Sequence, residues 1–345
     1  MYRARAATAT GAGVTSASPA VPEDGNVHVG SELLGRRVAL RFRVGERDGR
    51  PLHRDAVGEL TADGDALVVA GRRGPVRVDR AAVVAVRAVP PAPPRRASLA
   101  AIVRLEGLCA DAWPAEHERA LGGWRLRAAG GYTGRANCAL AIGDPGMPVA
   151  AALEVARGFA AEHGVPPRVQ APIGSPWDRA VSREGWVLDA GHRAGAEVSV
   201  MVAALDSAAL GPPDDRVELP ERPAEEWWRL GGDAGPTVAQ RRVLDPGGAP
   251  RTAFALVRAA DGQPVGRLRA TLVADHLHLS WLDVRPEVRR RGLAGALLRS
   301  AASWGLRRGA HWGVLQVALH NTAARALYDR VGFVEHHRYR YLVPP

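Results

Sequence analysis

Val284-Arg-Pro286, then Arg289-Arg290-Arg291-Gly292-Leu293-Ala294-Gly295, and later Asn321-Thr-Ala-Ala324-Arg-Ala-Leu327-Tyr328-Asp-Arg-Val-Gly332-Phe333 decide how this chain reads. Pro286 stops a strand, and a basic turn with a glycine then opens a helix. A helix start exposes unpaired N–H groups and the positive end of the macrodipole. Glycine at 292 lets a pyrophosphate come close to the backbone, and arginines supply charge and hydrogen bonds to phosphate oxygens. In the second stretch Asn321 is a helix N-cap, Tyr328 sits two turns in, and Gly332 is a natural left-handed C-cap. Thr252–Arg258, Val265–Ala274 and His276–Val284 read as successive antiparallel strands. Leu293, Ala296, Leu297, Ser300, Ala301 and Trp304 form a helical apolar stripe. His311–Leu319 and Phe333–Val343 complete a mixed sheet with helices on both sides.

The two stretches, in this order and at this distance, resemble the acetyl-CoA motifs of the GNAT N-acetyltransferase superfamily. The Arg-x-x-Gly-x-Ala spacing of 289–294 fits the first motif and Asn321–Phe333 the second. The resemblance implies acetyl-CoA as co-substrate, held by backbone amides near Leu282, Asp283 and Val284, by the turn Arg289–Gly295 and by Asn321. It also implies Tyr328 as the general acid at the thioester sulfur, where a leaving thiolate needs a proton. Some relatives carry a carboxylate six residues before the position of Val284; here that place is His278, the candidate base. By strand alternation His276 and Ser280 share its face, and Asp283 falls on the other. The helix near Ala224–Leu230, with Glu225, Glu226, Trp227 and Trp228, occupies the region that lines the acceptor cleft in relatives, although the tryptophans suit a core better. Tyr339 and Tyr341 are similar candidates.

The rest of the chain extends the pattern. Residues 1–27 read as a disordered tail rich in Ala, Gly, Ser and Thr, without a signal-peptide core. Five short runs within 28–90 (Val38–Val44, Ala56–Leu60, Ala66–Ala70, Val76–Val78, Val83–Val89) resemble an SH3-like barrel. Residues 91–97 form a stiff proline linker. Residues 98–207 mix a helix over Ala97–Leu108, strands at Trp124–Arg127, Cys138–Ile142 and Val198–Val202, and a helix over Val149–His163. A connection spans 208–223, and 224–345 is the catalytic domain. Setting Gly185-Trp186 against Gly332-Phe333 matches Pro145 to Gly292, Val181 to Tyr328, and the helix Val149–His163 to Ala296–Ala310. The expectation is an α/β (α+β) chain: the small barrel, then tandem GNAT folds, the first degenerate because its functional residues do not repeat. This layout, with Gly122-Gly-Trp-Arg-Leu-Arg127 and Gly131-Tyr-Thr-Gly-Arg-Ala-Asn137, resembles an actinobacterial histone-acetyltransferase-like family. That resemblance implies a protein lysine or another primary amine as acceptor.

All 46 basic residues of the 345 are arginine, and the formal net charge is +10. With no lysine side chain, only an amino terminus could self-modify by N-acylation. The charge suits anionic partners, CoA first and nucleic acid as a weaker alternative. Cys109 and Cys138 are too few and too badly spaced for a disulfide framework or a zinc site. No apolar run approaches the length of a membrane span. A cytoplasmic enzyme without a metal is the expectation; a CoA-binding regulator without turnover and an adaptor built on the barrel are the alternatives.

Overall fold

The computed structural model describes residues 29–63, 65–71, 74–89, 97–205, 211–230, 235–248 and 251–345. The expected tail, and the linker apart from Ala97, lie outside the described residues. The chain divides into two compact units, Met1–Arg95 and Arg96–Pro345. Among the described residues no helix is long and apolar enough to cross a membrane.

The first unit is one antiparallel sheet of β1 (Arg37–Arg47), β2 (Arg50–Asp63), β3 (Ala66–Gly71), β4 (Gly74–Asp79) and β5 (Val83–Ala88), in the order β4-β3-β2-β1-β5. Val38, Leu40, Leu60, Leu67 and Val69 alternate with more exposed neighbours and are fully buried. Among the described residues β4 and β5 do not pair, so no ladder closes the expected barrel. They are nevertheless joined by a 3₁₀ turn of three residues, Arg80–Ala82. So short a link brings the two edges of a curled sheet together at that corner only.

The second unit opens with α1 (Leu99–Asp111), β6 (His117–Leu121), β7 (Trp124–Ala128), β8 (Cys138–Ala141), α2 (Val149–Glu162), β9 (Val169–Pro172), α3 (Pro176–Arg183), β10 (Val187–Leu188) and β11 (Glu197–Ala204). It continues with β12 (Val217–Glu218), α4 (Glu225–Arg229), α5 (Val238–Leu244), β13 (Arg251–Arg258), β14 (Pro264–Val273) and β15 (His276–Val284). Then come α6 (Leu293–Leu306), β16 (Trp312–Ala318), α7 (Thr322–Arg330) and β17 (Val334–Val343). Each half therefore runs three antiparallel strands, a helix, a parallel strand, a second helix and a closing strand.

The register differs from the sequence expectation. α2 and α6 are equally long, but α6 starts at Leu293, after its left-handed cap Gly292 and three residues before the predicted Ala296 overlay. The counterpart of Gly292 is thus Pro148, the cap of α2, and not Pro145.

All these strands join one sheet in the order β12-β13-β14-β15-β16-β11-β17-β9-β8-β7-β6, with β10 beside β17. The closing strands are exchanged. β11, from the first half, lies between β16 and β17 of the second; β17 lies between β11 and β9 of the first. Helix α6 buries Leu293, Leu297, Ala301 and Trp304 against Leu268, Ala270, Leu277 and Leu279 of β14 and β15. Trp124, Leu126, Leu153, Phe159 and Val169 form the corresponding core of the first half. Cys109 and Cys138 are free and buried, and burial pushes both thiols up, Cys138 to about 11.

Candidate active site

Strands β15 and β16 are parallel neighbours only from His276 opposite Trp312 to Leu279 opposite Leu315. Beyond Leu279 they part. On its other edge β15 stays paired with β14, with Asp283 opposite Arg267 and Val284 opposite Gly266. The backbone of Ser280–Val284 therefore has no β16 ladder partner.

A bulge accompanies the parting. Arg269 faces Ser280, but Arg267 faces Asp283, so β15 holds one extra residue, and Trp281 adopts φ 56°. A left-handed non-glycine residue inside a strand is strained and re-aims its neighbours. Ser280 lines the same cleft as His278, while Trp281 stacks on Trp227 and lies under the Arg267 guanidinium, 4.3 Å from its ring centroid. After this extra step Asp283 approaches Arg267 at 4.0 Å. His278, Ser280 and Asp283 stand opposite Thr271, Arg269 and Arg267, which share one face of β14, so Asp283 comes back to the His278 face, which corrects the strict alternation read from the sequence.

Two clefts meet at the splay. The first, of about 730 Å³, is bordered by Leu282, Asp283 and Val284, by the turn at Arg289, Arg290 and Gly292, by the first residues of α6 (Leu293, Ala294, Gly295), and by α7 with Asn321 and Tyr328. Gly292 has φ 77° and gives α6 no side-chain cap. The first-turn N–H groups of α6 are therefore left for a ligand. A Cβ built on Gly292 would meet nothing within 4 Å, so the space beside it is open. Arg289 braces the turn, donating from Nε to the Val284 carbonyl at 2.9 Å and approaching Asp283 at 4.0 Å. Arg291 lies outside this cleft and borders a neighbouring one with Glu218 and Arg258. The Asn321 Oδ1 accepts from the Ala324 N–H at 3.1 Å, which leaves its amide nitrogen for other partners.

The second cleft, of about 830 Å³, lies between the halves and shares Leu282, Asn321, Ala324 and Tyr328 with the first. Tyr328 is half-buried, packs on Phe333, and is pushed up to about 12 by burial, so its hydroxyl keeps its proton at neutral pH. His278 is 2% exposed and sits edge-on to Trp113. Gln316 Oε1 accepts from Trp113 Nε1 at 3.2 Å and lies 3.3 Å from His278 Nε2. An oxygen at both contacts puts the proton on Nε2 and leaves Nδ1 a bare acceptor, buried without a partner. Burial, then the nearby Arg269 and Arg135 charges, hold His278 down to about 3.

The far wall comes from the first half and was not read from the sequence. Asn137 organises it: its Oδ1 accepts from Ala129 and Gly131 N–H, and its Nδ2 donates to the Tyr132 and Thr133 carbonyls. Buried Arg127 bonds the carbonyls of Ala110, Trp113 and Arg135 from the other side. The loop so held presents Tyr132 and Arg135 to the cleft. The only advance sign was the phrase Gly131–Asn137.

The predicted acceptor residues on α4 are elsewhere. Trp227 and Trp228 are buried beside Phe254, and Glu225 and Glu226 pair with Arg241 and Arg258. Tyr339 and Tyr341 are buried with their hydroxyls 3.4 Å apart, and only His192, stacked on Tyr341, reaches the cleft.

Comparison with known proteins agrees with this layout. The family model described as probable histone acetyltransferase Rv0428c, C-terminal, matches residues 99–342. The probable histone acetyltransferase Rv0428c of Mycobacterium tuberculosis (strain ATCC 25618 / H37Rv) is 31% identical over 319 residues, covering 90% of this chain and 95% of that protein. A solved GCN5-related N-acetyltransferase from Kribbella flavida shares the fold, with a TM-score of 0.53 at 17% identity over 70% of this chain and 95% of that one. The matched segment holds both clefts and both halves of the exchanged sheet, and the chain belongs to the Rv0428c family of probable histone acetyltransferases, which are of the GNAT type.

Proposed function

We propose that this protein transfers an acetyl group from acetyl-CoA to a primary amine by direct attack in a ternary complex. The observation that carries the reading is the meeting of two clefts at Tyr328, one bordered by a bare helix N-terminus and the other running between the halves. Acetyl-CoA supplies the acyl group as a thioester, whose carbonyl carbon bonds to the amine nitrogen as its C–S bond breaks.

The first-turn N–H groups of α6, with Arg290 beside them, suit a pyrophosphate. The unladdered backbone of Leu282–Val284 can hydrogen-bond an amide-bearing arm and a developing oxyanion; the Val284 carbonyl is already engaged by Arg289. Asn321 offers its amide nitrogen. Tyr328 donates its proton to the departing thiolate, a role its raised pKa suits.

His278 was expected as the base. With a pKa near 3 it is better suited to accept a hydrogen bond from the amine through Nδ1 than to carry a proton away. The surrounding arginines disfavour an ammonium, so the attacking amine binds as the free base and the proton it sheds passes to water. The first half, on this reading, is a degenerate copy of the fold: Pro148 replaces the glycine cap. Its work is to wall the cleft. The N-terminal unit is assigned as an open SH3-like barrel.

Calorimetric titration with acetyl-CoA, beside Gly292→Glu, tests this reading. The intact protein should bind. The variant should not, since it sets a carboxylate in a strained left-handed position against the pyrophosphate. No binding by the intact protein would remove the acetyl-transfer reading.

A further inference from the structure

The cleft between the halves carries a charge pattern that the transfer reading leaves unexplained. Its borders include three arginines (Arg135, Arg168, Arg193) and three histidines (His192, His278, His320), and no aspartate or glutamate among the described residues. Arg168 is neutralised by Asp189 at 2.8 Å. Arg135 is not neutralised: it reaches the Gln316 carbonyl at 3.2 Å and the Trp113 ring, has no carboxylate partner among the described residues, and its buried Nε has no partner. Behind it Arg269, fully buried, hydrogen-bonds among the described residues only the carbonyls of Leu244 and Ala112 and leaves Nη2 unsatisfied. Arg193 stands exposed at the rim.

Uncompensated guanidiniums around a cleft with no anion of its own suit a ligand that brings one. They oppose a ligand that adds more positive charge, as a lysine-rich tail would. The second observation is His278 Nδ1, a bare acceptor on a side chain that is 2% exposed and borders the same cleft. The cleft thus offers an acceptor for an amine N–H at its floor and cations for an anionic group farther along.

Resting on the transfer reading, we infer that the acceptor is a small primary amine that also carries a carboxylate or phosphate, its anion held by Arg135 with Arg193 at the entrance. The transfer balances: the amine nitrogen bonds to the acetyl carbon, sheds one proton to water, and the sulfur leaves as a thiol with the proton of Tyr328, which water restores.

The test measures thiol release with full-length protein over matched amines: phosphoethanolamine against ethanolamine, β-alanine against propylamine, then cadaverine and a lysine-rich peptide. The anionic member of a pair should be preferred in kcat/KM by roughly 10-fold or more, the value of one charge-assisted hydrogen bond. Arg135→Gln should abolish that preference. Because Arg135 also supports its loop, the exposed Arg193→Gln is the second variant, with a KM raised for anionic amines only. Preference for cationic amines or the peptide, or no acetylation by a protein that binds acetyl-CoA, would overturn the inference and leave the CoA site standing. If acetyl-CoA itself does not bind, calorimetric titration with phosphoethanolamine and β-alanine still decides: binding weakened by Arg135→Gln or Arg193→Gln supports the anion site, and none overturns it.

Discussion

Replacing His278 by glutamine should flatten the acid sensitivity of this fold. In the unfolded chain the imidazole titrates near its ordinary 6.5, but in the folded protein only near 3. Between those values the unfolded state holds more protons, so folding stability is full above pH 6.5 and falls as pH falls. Each pH unit below 6.5 costs about 1.4 kcal/mol, and going from pH 7 to pH 5 therefore removes about 2 kcal/mol through this side chain alone. The assay is denaturant unfolding of both proteins at the two pH values. Glutamine can keep a hydrogen bond to Gln316 and does not titrate, so the variant should lose about 2 kcal/mol less than the parent, whatever its absolute stability. Other histidines, such as half-buried His192 and His336, are also held down by burial and contribute equally to both proteins. Identical pH dependence in the two proteins would mean that His278 is solvated or charged in the fold, and would remove the argument that it cannot serve as the base.

Tyr328→Phe should lower kcat by roughly 10-fold or more with acetyl-CoA affinity unchanged, as single-turnover kinetics and calorimetry would show. Glu106→Ala should cost about 3 kcal/mol in denaturant unfolding, because fully buried Glu106 accepts from Gln170 at 2.6 Å and contacts His337 at 2.7 Å, and its loss orphans both. A protein of residues 97–345 should bind acetyl-CoA like the full chain, since the two units have separate cores. Residues 211–345 alone should give no cooperative unfolding transition, because β16 and β17 would lose β11 from between them.

The local signals read well because each is chemistry at one position. Gly292 adopts the left-handed conformation only a few residues tolerate, Asn321 caps by its own side chain, and Gly332 ends the helix with φ 89°. The apolar stripe of α6 was legible for the same reason, a fixed period on one element. The bulge at Trp281 was not, since Ser280-Trp281-Leu282-Asp283 carries no glycine to mark it and packing on Trp227 and Arg267 fixes it from outside. That one residue reversed the predicted face of Asp283. The cationic wall depends on Asn137 and Arg127 holding a distant loop, and the strand exchange depends on pairings no local pattern encodes.

The exchange also bears on how the chain is made. Pro172 of β9 waits for Tyr339 of β17, and Glu197 of β11 for Arg340. A ribosome therefore completes nearly the whole second unit before either half can lay down its central ladders. Until then β9 and β11 expose unpaired edges of a kind that invites pairing with other chains. The central ladders wait for β17, so a stall in the second half leaves the first half unfinished as well, and the cell meets one hazard-prone intermediate rather than two independent domains.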